Sequence, residues 1–126
     1  MPVCAVHIHT GMTCTGDAGG HYYTGTVTAD PWTSIVYSSD STGATSGSLT
    51  VTTGGSSGEV AGRAMIIHAY DGSRIGCATL GSTLNTALPL QADSFVPYVG
   101  YTPGFAVAGS VGPMTTSGTT QTFYYT

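Results

Sequence analysis

Closely spaced turn signals constrain the fold of this chain more than any other feature of its sequence. Glycine occurs 19 times among 126 residues, and with serine it divides the chain into short apolar runs, whose length suits strands better than helices. No stretch shows a helical repeat of apolar residues with end caps. The pattern predicts a single all-β domain, an antiparallel sandwich or barrel. Its predicted strands cover residues 3–9, 34–37, 48–52, 63–70, 74–80, 105–111 and 119–126.

Two hairpins and one irregular segment are expected between these strands. Asp71-Gly72 separates two apolar runs and is a strong hairpin signal. A second turn is expected at residues 115–118. Residues 84–103 contain three prolines and few strand signals, which predicts a long irregular crossing. The sequence ends within a strand pattern, which favours a fragment, a repeat, or a strand that pairs with something beyond the chain.

The small number of charges limits the partners that this chain can bind. Charged residues make up 6% of the sequence, against roughly 25% in typical soluble domains. There is no lysine, and the net charge is -4. We therefore expect neither nucleic acid nor an anionic membrane as a partner. No apolar run approaches the roughly 20 residues of a membrane helix, and a surface of Thr, Ser, Gly and Tyr is typical of extracellular or cell-surface proteins.

Three cysteines fit one disulfide and one spare thiol in an oxidising compartment. The odd number also allows a bridge between two chains.

The placement of the four histidines predicts a metal site. His7 and His9 form an H-x-H pair in a predicted strand, where residues two apart point to the same face. His21 lies in a glycine-rich loop, and His68 closes a distant apolar run. Each histidine alone is more often structural than functional. Together they predict a nitrogen-only site for redox copper.

Four segments in this order resemble the copper/zinc superoxide dismutase family. Its pattern has an H-x-H strand, a cysteine and a third ligand in the next loop, an arginine five residues before the fourth histidine, and an arginine three residues before the second disulfide cysteine. The counterparts here are Val6-His7-Ile8-His9, Cys14 with His21, Arg63 with His68, and Arg74 with Cys77. The resemblance covers roughly residues 4 to 80.

This resemblance implies a Greek-key sandwich or flattened barrel and a function. His7, His9, His21 and His68 would bind copper, and superoxide would be the substrate. His21 would be the ligand that switches and delivers a proton, and Arg74 would attract the anion. Cys14 and Cys77 would form the disulfide, with Cys4–Cys14 as the competing pair.

Departures from the family pattern indicate its copper-only, repeat-domain branch. No histidine lies between His21 and His68, so a zinc site of the familiar type is not expected. The loop before Arg74 is reduced to residues 69–73, which implies an open site. The strands that precede the H-x-H strand in the family are missing here, and the hairpin within residues 105–126 resembles them, so the strand order is permuted.

The permuted order predicts three parts of the chain. Residues 1–80 would be the copper-site half, residues 81–104 a connector, and residues 105–126 a hairpin that completes either this copy or a neighbouring one. Pairing with a neighbour predicts self-association through Phe105 to Thr126. The alternative function is therefore a structural subunit of an extracellular filament, sheath or adhesin.

Two charged residues receive structural interpretations. Arg63 is expected to donate hydrogen bonds to loop carbonyls. Glu59, the only glutamate, could orient a ligand histidine, but a solvated loop position is the favoured interpretation.

Overall fold

The computed structural model describes residues 4–69, 72–81, 90–93, 95–100 and 107–126. Within them lie nine strands and one short helix. The strands are β1 (Cys4–Ile8), β2 (Val36–Tyr37), β3 (Gly47–Thr52), β4 (Ala64–His68), β5 (Arg74–Thr79), β6 (Leu90–Ala92), β7 (Val96–Pro97), β8 (Val111–Ser117) and β9 (Thr120–Tyr125); the helix α1 (Ser57–Val60) lies between β3 and β4.

Two antiparallel sheets confirm the predicted all-β sandwich. One sheet has the order β2-β1-β4-β5-β7, and the other has the order β3-β9-β8-β6. Alternation along the strands places Val6 and Ile8 of β1 and Phe123 of β9 in the core between the sheets. Each of these side chains is at most 1% exposed.

The other face of the five-stranded sheet is also covered. Ala64 and Ile66 of β4 form a second small cluster with Ala18 and Cys77. Every residue of β4 is therefore buried, and the loop that follows β1 lies over this outer face. The histidines lie on the same face.

The C-terminal hairpin is displaced from its predicted position. Residues 107–110 are not in a strand, and 105–106 lie outside the described residues. The strand β8 instead runs through Thr115 and Thr116, where the sequence predicts a turn, and the turn falls at residues 118–119. The β-branched threonines favour the extended backbone, and Pro113 is tolerated because the register with β9 shifts between Val111 and Met114.

The hairpin pairs within its own chain. β9 lies between β3 and β8, and β8 lies between β9 and β6. The segment predicted to be an irregular crossing contributes the short strands β6 and β7. The hairpin between β4 and β5 is present, although residues 70 and 71 of its turn lie outside the described residues.

The helix α1 was not predicted, although its capping signal is present in the sequence. The Ser56 side chain accepts a hydrogen bond from the Glu59 backbone N–H, and the Glu59 carboxylate accepts one from the Ser56 N–H. This is the S-x-x-E capping box. It gives Glu59 a role at the helix N-terminus, on the protein surface, rather than beside a ligand histidine.

Candidate metal centre

The four histidines meet on the outer face of the five-stranded sheet. His7 and His9 point away from the sandwich core because Ile8 between them belongs to that core. His68 ends β4, the neighbour of β1, and His21 forms an isolated bridge with His9. One nitrogen of each ring lies within 4.8 Å of the others. The structure thus brings together the four histidines named from the sequence.

Each ring uses its second nitrogen in a hydrogen bond to a fixed oxygen. A carbonyl or carboxylate oxygen accepts, so the nitrogen that faces it carries the ring proton. The donors and acceptors are His7 Nε2 to Ile35 O (2.9 Å), His9 Nδ1 to Gly19 O (2.8 Å), His68 Nδ1 to Gly72 O (3.2 Å) and His21 Nδ1 to Asp30 Oδ2 (2.6 Å). These contacts fix the tautomer and orientation of every ring.

The other nitrogen of each ring, called here the inner nitrogen, points toward the other three rings. The four inner nitrogens form two close pairs. His7 Nδ1 lies 3.1 Å from His21 Nε2, and His9 Nε2 lies 3.1 Å from His68 Nε2. Since the outer nitrogens hold the ring protons, the inner ones present only lone pairs when the rings are neutral. Lone pairs at this separation repel, and a cation between them removes the repulsion. The donor set therefore suits a metal ion that prefers imidazole.

Burial favours the neutral form of three of the rings. It lowers the pKa of His7 to about 4 and that of His9 to about 3, and it also lowers the pKa of His68. Nearby positive groups, including the other histidines, act in the same direction. Neutral imidazole is the form that binds metals, so these three rings can act as ligands at pH 7.

Asp30 is a functional candidate that the sequence did not reveal. Its Oδ2 accepts the hydrogen bond from His21, and its Oδ1 accepts one from the Trp32 N–H at 2.8 Å. Burial raises the pKa of Asp30, but the hydrogen bonds from Trp32 and His21 outweigh it and leave the pKa below its usual value. The signal that could have found it is local: an aspartate that accepts from the N–H two residues later forms an Asx turn.

Arg74 lies beside the histidines and is held by two groups that the sequence did not single out. It pairs with His68 across β4 and β5. Its guanidinium donates to the Tyr98 hydroxyl at 2.9 Å and to Asp17 Oδ1 at 3.2 Å. Burial is the main cause that lowers the pKa of His9, and the positive charge of Arg74 lowers it further. The guanidinium is thus close enough to act electrostatically at the site.

Gly19 contacts both His9 and Asp17, the residue that pairs with Arg74. Its N–H donates to Asp17 Oδ1 at 2.8 Å, and its carbonyl accepts from His9. Its φ of 76° is one that side-chain-bearing residues rarely adopt. The same short loop therefore holds both His9 and the partner of Arg74.

A disulfide links Cys14 to Cys77, with 5.7 Å between the Cα atoms. The pairing expected from the family resemblance is present, and the competing Cys4–Cys14 pair is not formed, since Cys4 is a free thiol. The bond ties the loop after β1 to β5. It also fits an oxidising compartment, where such bonds persist.

Arg63 has the structural role expected of it. It donates to the carbonyls of Glu59 at 2.7 Å and Thr10 at 2.8 Å. Its guanidinium also lies 4.0 Å from the centre of the Tyr22 ring, in cation–π contact.

No protein-family model, curated protein or solved structure matches the chain. Among the described residues there is no helix with the length and apolar character needed to cross a bilayer.

Proposed function

We propose that this domain binds copper through His7, His9, His21 and His68 and dismutates superoxide, as an extracellular member of the copper-only superoxide dismutase branch. The observation that carries the proposal is the set of four inner nitrogens, one from each ring, which lie within 4.8 Å of one another and carry no proton when the rings are neutral. The same proposal assigns the sandwich to the Greek-key type of that family, with a permuted strand order.

The donor set favours copper over other metals. It consists of imidazole nitrogens only, and N/O/S sites generally bind Cu(II) more tightly than Zn(II) or the other divalent first-row metals. Bound copper would supply one-electron chemistry between Cu(II) and Cu(I). Zinc has no such redox chemistry. No carboxylate or thiolate belongs to the group of convergent ligands.

Three of the four rings are buried, and one is accessible to solvent. His7, His9 and His68 are buried, with exposures of 6%, 0% and 8%. His21 is half-buried, so an anion can approach the site from its side. Its protonated Nδ1 remains on Asp30, which leaves Nε2 as the atom that could bind the metal or hold a proton in turn.

The only positive side chain suited to attract an anion is Arg74. The chain contains two basic residues, and Arg63 is committed to two carbonyls and the Tyr22 ring. Arg74 lies opposite His68 and is held by Tyr98 and by an exposed ion pair with Asp17. A guanidinium stays charged at any physiological pH, so it would orient superoxide at the open side of the site.

The test is to load the purified protein with Cu(II) and measure superoxide decay after pulse radiolysis. We expect an electron paramagnetic resonance spectrum with nitrogen hyperfine splitting and a second-order rate far above that of spontaneous dismutation. Copper should also quench the fluorescence of Trp32, the only tryptophan, whose ring centre lies 5.4 Å from that of His7.

Zinc-loaded protein is the matched control, because it fills the site without redox chemistry. It should leave superoxide decay at the spontaneous rate. His68→Ala should weaken copper binding by more than about a hundredfold, which exceeds the loss usually caused by removing a residue that only hydrogen-bonds a ligand. Copper-loaded wild-type protein that is no faster than the zinc form would refute the enzymatic proposal, whereas unchanged copper affinity in His68→Ala would refute the ligand set.

A further inference from the structure

In the part of the chain that the structure describes, three of the four sheet edges carry features that disfavour pairing with another chain. β2 has two residues, and β7 has two residues of which one is Pro97. β6 has three residues and an irregular register with β8, and Gly81 already bridges to Gln91 on its outer side. Short strands, prolines and irregularities are the usual protections of sheet edges.

The fourth edge, β3, has none of these protections. It is a six-residue strand, Gly47–Thr52, that carries no charge and no proline. Its register with β9 is continuous from Gly47 opposite Tyr125 to Thr52 opposite Thr120. No described residue pairs with its outer side. An exposed, regular and uncharged edge is a template for a further strand.

The hydrogen bonds between β3 and β9 show which backbone groups of β3 are left free for a further strand. The Thr53 N–H donates to the Thr119 carbonyl at 3.1 Å, and bonded pairs alternate along an antiparallel ladder. Ser48, Thr50 and Thr52 therefore direct their backbone N–H and C=O groups away from β9.

Side-chain contacts agree with this alternation. Residues opposite one another in a non-bonded pair bring their side chains closer together. The hydroxyl oxygens of Thr50 and Thr122 lie 3.2 Å apart, and those of Thr52 and Thr120 lie 2.8 Å apart.

We propose that β3 pairs with β3 of a second copy of this chain, antiparallel about a two-fold axis near Thr50. Such an arrangement sets Thr50 opposite its own copy and Ser48 opposite Thr52 of the other copy, and each facing pair exchanges two hydrogen bonds. The pattern is self-complementary, as a two-fold interface requires. The two four-stranded sheets become one continuous eight-stranded sheet.

A second copy fits this edge better than a partner of another kind. The strand has no charged side chain that would select an acidic or basic peptide. Pairing also covers Leu49, which is only half-buried in the single chain. Each copy carries a net charge of -4, so the association should strengthen as added salt screens the repulsion.

This interface differs from the self-association predicted from the sequence. That prediction placed the contact in residues 105–126, whereas β8 and β9 each have two strand neighbours in the same chain. The proposal does not depend on copper chemistry.

Sedimentation velocity of the wild type against Thr50→Pro tests the interface. Proline removes the outward N–H of Thr50 and leaves the bonded pairs of β3 with β9 in place. The wild type should show a concentration-dependent dimer that salt strengthens, and Thr50→Pro should lose the dimer. Thr50→Val, which keeps the N–H and a β-branched side chain, is the matched control and should keep it.

A second variant covers the case in which Thr50→Pro does not fold. Thr50→Lys keeps the backbone N–H but sets two positive charges against each other at the axis, and it should also be monomeric. Circular dichroism establishes that each variant is folded. A wild type that remains monomeric at all protein and salt concentrations would overturn the proposal, as would a folded Thr50→Lys protein that dimerises like the wild type.

Discussion

At the scale of single residues, the Asp30 carboxylate holds the most accessible histidine of the site. Asp30→Asn leaves one carbonyl oxygen where the structure uses two, one for His21 and one for the Trp32 N–H. We expect the His21 ring to lose its fixed orientation. Copper affinity should fall by about 10- to 100-fold, the range typical when a residue that hydrogen-bonds a ligand is removed. Competition with a chelator, followed by Trp32 fluorescence, measures the change.

Asp40→Asn is the control for this substitution. It changes the net charge by the same amount, but Asp40 is fully exposed and accepts hydrogen bonds from its own turn, at Thr42, Gly43 and Ala44. Its copper affinity should equal that of the wild type. If both variants bind copper equally well, Asp30 has no role in orienting His21.

The four candidate metal ligands were easier to predict than the residue that orients one of them. His7 and His9 have a spacing of two, which in a strand fixes a shared face. His21 and His68 were named because they are the other two histidines of the chain, and the family resemblance gave the same four residues. Asp30 has no fixed spacing to any ligand. Its contact depends on how the loop after β1 folds over the sheet, which only the tertiary structure determines.

At the scale of elements, the Cys14–Cys77 bond fastens the loop that carries Gly19 to the strand that begins with Arg74. The residues that it joins are 63 apart in sequence. The chain-entropy relation gives about 4 kcal/mol for a loop of this size. Cys14→Ser/Cys77→Ser should lower the free energy of unfolding by this order in urea denaturation, and the loosened loop should also weaken copper binding.

Cys4→Ser provides the comparison, because Cys4 is a free thiol in β1. It should change the free energy of unfolding by less than about 1 kcal/mol. Equal losses in the two proteins would mean that the disulfide does not stabilise the fold beyond ordinary packing.

The elements that the sequence predicted well are short apolar runs with clear ends. β1, β4 and β5 alternate between a core face and a histidine or disulfide face, and β3 shows Leu49 and Val51 on one side. The hairpin of β8 and β9 was misplaced because Thr115 to Gly118 has the composition of a turn. Its position depends on pairing with β3 and β6, which are distant in sequence.

At the scale of the whole molecule, burying three neutral histidines makes stability depend on pH in the metal-free protein. In the unfolded chain histidine has a pKa of about 6.5, whereas burial lowers the pKa of His7 to about 4 and of His9 to about 3 in the fold and also lowers that of His68. Below pH 6.5 the unfolded chain therefore binds protons that the folded protein does not. The free energy of unfolding must fall as the pH falls.

Between pH 7 and pH 5, the free energy of unfolding should fall by on the order of 3 kcal/mol from His7 and His9 together. The carboxylates whose pKa values are lowered, such as Asp30, contribute mainly below this window, so the histidines dominate it. Urea denaturation of metal-free protein at pH 7, 6 and 5 measures the slope, and His7→Gln/His9→Gln should flatten it because glutamine does not titrate. Stability that is constant or rises on acidification would mean that burial does not hold His7 and His9 neutral in this pH range.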